Sequence, residues 1–96
     1  MDTPAWIRRV EHANSIDEVV RIVCEYVQSR PQEDIARLPA DCRFECPLSS
    51  PDEVADCAYR LAAHHEGQAG DAQVIGRVSG FFTRASVRLS ELAHRA

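Results

Sequence analysis

The sequence predicts an all-α domain, an irregular four-helix bundle with a short plug helix between its second and third long segments. Three observations predict it. Apolar residues recur at spacings of three and four, with no period-two alternation of the kind a half-buried strand shows. Capping boxes stand at Ser15 and Ser50, each with a glutamate three residues on, where it can answer the backbone of the serine. The prolines fall only in first turns or between the periodic segments, where a missing N–H breaks no helical ladder. With 96 residues the chain is expected to form one domain, burying roughly 60% of its unfolded surface in a single core.

The first helix is expected to start at Thr3-Pro4, threonine as N-cap and proline in the first turn. Trp6, Ile7 and Val10 share one side, so the indole is expected to anchor the N-terminal segment in the core, the alternative being a partner contact. Ser15-Ile16-Asp17-Glu18 opens the second helix, placed at residues 16 to 29. Its side carrying Ile16, Val19, Val20, Val23, Cys24 and Val27 outweighs the β-propensity of its branched residues. Pro31 to Ile35 gives a short acidic turn of helix, the plug, which turns Ile35 and Leu38 inward before Pro39 stops it. Residues 39 to 50 read as irregular and hold Cys42, Phe44 and Cys46. Ser50-Pro51-Asp52-Glu53 starts the third long segment, which buries Val54, Cys57, Ala58, Leu61 and Ala62 and ends at Gly67 and Gly70.

The final segment, residues 71 to 96, organises the rest. Val74, Val78, Phe81, Phe82, Ala85, Leu89 and Leu92 gather on one face at about 100° per residue. Arg77, Arg84, Arg88 and Arg95 stack within roughly 20° of a common line beside that face. Gly76, Gly80, Thr83 and Val87 lie on the opposite side, where each glycine costs on the order of 1 kcal/mol relative to alanine. Close approach of another backbone would explain that cost, and a kink or a later helix start would also accommodate it.

Charge narrows the partner class. The formal net charge is −4, and up to residue 71 acidic residues outnumber arginines about two to one, whereas the last segment holds four arginines against Glu91 alone. An acidic chain is not expected to bind nucleic acid nonspecifically, because counterion release needs a dense basic surface. The arginine edge is expected to meet Asp52, Asp56 or Glu66 on a neighbouring helix, or a partner. No apolar run approaches the length of a membrane span and no signal-peptide pattern opens the chain, so a cytoplasmic location with reduced cysteines is expected.

Cys42, Cys46, Cys57 and His64 can be drawn as a Cys3His metal site, since Cys57 and His64 are one heptad apart on a helix. The spacing of Cys42 and Cys46 departs from the usual two-residue interval, and Cys57 also belongs to the apolar seam. Neither a nucleophile elbow, nor a phosphate-binding glycine loop, nor a paired-carboxylate motif occurs, so no enzyme activity, cofactor or small-molecule ligand is expected. A helix-turn-helix regulator would need basic residues at the start of its recognition helix, where Asp71, Ala72 and Gln73 stand instead.

Leu38-Pro39-Ala40-Asp41-Cys42-Arg43, Ser50-Pro51-Asp52-Glu53-Val54-Ala55 and Phe81-Phe82-Thr83-Arg84-Ala85 resemble stretches of small helical proteins of unknown function from Burkholderia-like bacteria. The resemblance implies a bacterial origin and no reaction, cofactor or ligand. The expected function is a non-enzymatic protein-interaction module, docking a protein partner or a second copy through Gly76, Arg77, Gly80, Arg84, Val87, Arg88 and Arg95. Alternatives are a metal- or redox-responsive module using the loop cysteines and a helix-turn-helix DNA-binding regulator.

Overall fold

The computed structural model describes residues 2–38, 42, 50–66 and 72–95, and among these the chain is all-α. The helices are α1 (Thr3–Glu11), α2 (Ile16–Ser29), α3 (Gln32–Ala36), α4 (Pro51–Glu66) and α5 (Ala72–His94). Cys46, Phe44 and the Gly67 and Gly70 hinge lie outside the described residues. No helix among the described residues is long and apolar enough to cross a membrane.

Local chemistry sets the helix ends. The N-cap of α1 is Asp2, one residue earlier than expected: its side chain accepts from the Ala5 N–H at 3.0 Å, and Thr3 and Pro4 become the first helical residues. A carboxylate there satisfies an orphan N–H and faces the positive end of the helix, which a threonine hydroxyl does less well. Ser15 caps α2 through the Glu18 N–H at 3.1 Å, while Glu18 reaches one residue further back than a capping box requires, accepting from the Asn14 N–H at 3.0 Å. The α2 C-terminus is closed by side chains. Ser29 Oγ and Arg30 Nε both donate to the Tyr26 carbonyl, at 2.8 and 3.2 Å, before Pro31 prevents continuation. Ser50 caps α4 through the Glu53 N–H at 3.3 Å.

Every other long helix packs on α5, which at 23 residues is about 34 Å long. Trp6 of α1, Tyr26 of α2 and Phe81 of α5 form one aromatic cluster. Trp6 meets Tyr26 edge-on at 5.8 Å and Tyr26 stacks on Phe81 at 3.8 Å, with Phe82 perpendicular to Phe81 at 5.7 Å. Trp6, Val10, Val19, Ile22, Val23, Val54 and Leu61 complete the core around the buried α5 face. Each such side chain contributes about 1.5–3 kcal/mol when fully buried. Trp6 is therefore a core anchor.

Helix directions follow from these contacts. Trp6 lies against the Phe81 level and Ala13 against Arg88, so α1 runs parallel to α5. Tyr26 stacks on Phe81 and Ile16 approaches Leu92, so α2 runs antiparallel to α5. His65 meets Gly76, and Ala55 lies beside Ser86 and Ser90, so α4 is antiparallel to α5 as well. α2 and α4 therefore run the same way, both opposite to α5. Leu38 and Ser50 consequently lie toward opposite ends of α5. Between them Cys42 is buried in the core. In α3 no residue is fully buried; Ile35 is half-buried and Leu38, just past the helix, is buried. Tyr26, Ile35, Leu38 and Val78 line a cavity of about 20 Å³ there, room for a single water.

Candidate functional site

The α5 residues singled out by the sequence separate into three environments. Arg88 turns inward. Its Nε and Nη2 donate to the Ala13 carbonyl at 3.0 and 2.6 Å, joining α5 to the turn between α1 and α2. A carbonyl at the end of a short helix lacks its intrahelical donor, and a guanidinium supplies two. Arg88 thus serves the fold, and the four arginines do not form one continuous outer edge.

Gly76 faces α4. A Cβ built on it would stand 3.2 Å from His65 Cε1, so the close neighbour is a side chain of the same chain. The absence of a side chain at Gly76 lets the ends of the antiparallel pair draw together. Ser79, also on α5, is buried, and Ser86 and Ser90 line the same seam opposite Ala55. Gly76 therefore belongs to the chain's own packing.

Gly80, Arg77, Arg84, Val87 and Arg95 point outward and are exposed. Nothing lies within 4 Å of a Cβ built at Gly80. Val87 is 50% exposed and Tyr59 of α4 is 77% exposed, the large hydrophobics left open among the described residues. Tyr59 follows seam residue Ala55 by one helical turn, and Val87 follows Ser86 by one residue; both fall on the flank of the seam away from the core. Sequence reasoning missed Tyr59. Its signal was its placement, off the Val54, Cys57, Ala58 and Leu61 face, where a solvated helix ordinarily carries a charged residue.

The expected ion pairs across the α4–α5 seam take a different form. Asp56 pairs with Arg60 on its own helix at 2.8 Å, Asp52 is exposed, and the side chain of Glu66 lies outside the described residues. Arg9 pairs with Glu25 between α1 and α2 at 2.8 Å while its guanidinium lies 4.8 Å from the centre of the Trp6 ring. At the far end of α5, Arg95 and Leu92 border an open cleft of about 350 Å³ whose other wall is the start of α2.

The cysteine and histidine candidates do not converge within the described residues. Cys42 and Cys57 are buried in the core, His64 is half-buried, and Cys46 is outside the described residues. Burial, reinforced by the neighbouring Asp56 carboxylate, pushes the Cys57 thiol up to about 11. That favours the neutral thiol, the form that neither ligates a metal nor attacks a disulfide. Among the described residues no group of three or more histidine, cysteine or acidic side chains stands close enough to hold a metal ion. Cys57 is a free thiol. No protein-family model, curated protein or solved structure matches the chain.

Proposed function

We propose that this chain is a non-enzymatic protein-interaction module of bacterial, cytoplasmic origin, an irregular four-helix bundle with α3 as its plug. The outer flank of α5 is its docking surface. The observation that carries the reading is the coincidence of Tyr59, Gly80 and Val87 on one flank: two exposed large side chains beside a mid-helix glycine with open space above it. Exposed aromatics of this kind are enriched at interface centres because they bury much area at little entropic cost. Arg77, Arg84 and Arg95 supply a polar margin, the usual surround of an apolar interface centre.

A photo-reactive amino acid placed at Thr83 or Val87, and separately at exposed Arg21 on α2 as a control, tests the surface in growing bacterial cells. Discrete adducts from the α5 positions and none from Arg21 are expected. No adduct from either α5 position, or the same adducts from all three, would remove α5 as the docking helix.

A further inference from the structure

Among the described residues α3 is the helix least packed on the others, and none of its residues is fully buried. The cavity of about 20 Å³ lies beneath it, with Tyr26, Val27 and Val78 as floor and Ile35 and Leu38 as roof. We infer that α3 is a lid: it lifts as a unit about the Arg30–Pro31 link and uncovers this apolar floor while the other four helices stay packed.

The backbone is arranged for such a hinge. Arg30, with ψ of 137°, and Pro31, with ψ of 146°, are both extended and stand between α2 and α3. Rotation at a few such positions is enough to swing a short element. The Asp34 and Ile35 N–H groups donate to the Pro31 carbonyl, and those of Arg37 and Leu38 to the carbonyls of Asp34 and Ile35. These bonds are internal to the segment, so they travel with α3 when it lifts.

What α3 leaves behind is closed without it. The Arg30 N–H donates to the Val27 carbonyl, and Ser29 Oγ and Arg30 Nε donate to that of Tyr26, so α2 carries its own C-terminal cap. The Arg30 guanidinium lies 4.2 Å from the centre of the Tyr26 ring, whose opposite face stacks on Phe81. Rotation about the two ψ bonds moves α3 and leaves this side chain in place. Lifting therefore gives up the burial of Leu38 and half that of Ile35, over a cavity that already lacks some of its contacts. A segment with so little apolar burial opens well before the whole fold does.

Two measurements on the full chain test the inference. Native-state hydrogen exchange is expected to give the Ile35 and Leu38 amides one common opening constant, about tenfold or more above that of Val23 in α2 and unchanged by urea below the unfolding transition. Alkylation of the Val78→Cys variant reads the floor directly: its thiol should react through the same opening constant, while core Cys57 reacts only through global unfolding. Ile35 and Leu38 amides that exchange with the Val23 constant overturn the lid. So does a floor thiol as slow as Cys57 beside fast α3 amides, since that is a fraying helix that uncovers nothing. The exchange measurement uses the unaltered chain, so it decides the first point even where the substitution disturbs the core.

Discussion

The Arg88 guanidinium holds the Ala13 carbonyl through Nε at 3.0 Å and Nη2 at 2.6 Å, across 75 residues of sequence. It is partly buried, so this charged donor pair counts for more than a surface contact. Arg88→Ala should destabilise the fold by about 1.5–3 kcal/mol, whereas Arg84→Ala in dilute solution should stay within about 0.5 kcal/mol. Urea midpoints of the two variants make the comparison. Equal effects would show that Arg88 contributes no more than a surface arginine.

Tyr26 is fully buried, and its hydroxyl has no hydrogen-bond partner among the described residues. Burial raises its pKa. The Thr3 side chain approaches closely enough to temper that rise, though not in hydrogen-bond geometry. Removing an unpaired buried hydroxyl while keeping the ring should not harm the fold. Tyr26→Phe is expected to match the wild type or exceed it by up to about 1 kcal/mol, with the Phe81 stack retained. A melting temperature several degrees lower would reveal an acceptor for the hydroxyl.

The two α5 glycines should respond differently to alanine. At Gly80 the added methyl meets nothing, so the helix gains about 1 kcal/mol of propensity. At Gly76 the methyl presses on the His65 ring, which is exposed and must give by a few tenths of an ångström, leaving a smaller gain. Chemical denaturation at concentrations below any self-association checks the order. A larger gain at Gly76 than at Gly80 would mean the His65 contact is not maintained in solution.

Cys57 should behave as an inert core thiol. With its pKa raised from about 9 to about 11, the folded protein should hold on the order of a hundredfold less thiolate there than an ordinary cysteine at pH 8. Peptide-resolved alkylation should find Cys57 slower than half-buried Cys24. The linkage has a definite sign. The folded state keeps the proton more tightly, so this contribution to stability is full below about pH 9 and is lost as pH rises through about 11. Chelator should leave the melting temperature unchanged; a downward shift would restore the metal reading of Cys42, Cys46, Cys57 and His64.

Much of the fold was legible because local rules and core demand agreed. Ile16–Ser29 is a helix between a capping serine and a proline, as its spacing predicts, and the α5 apolar face from Val74 to Leu92 is buried as read. What was not legible depended on tertiary neighbours. Arg77, Arg84, Arg88 and Arg95 share a line on the helix, but among the described residues only Arg88 meets a free carbonyl, supplied by a residue far away in sequence. Gly76 and Gly80 are one turn apart and look equivalent until His65 occupies the space above one of them. The parallel course of α2 and α4 is likewise invisible to periodicity, which fixes faces and not directions.

Because α1, α2 and α4 all pack on α5, the core has a late keystone in chain order. Trp6 and Tyr26 find Phe81 only after α5 has been made, and Ala13 waits longer still for Arg88. During synthesis the earlier helices emerge with apolar faces and no common support. Native contacts that span many residues of sequence delay the cooperative step until α5 has been made. A chain cut short of α5 would therefore expose a substrate for chaperones and proteases.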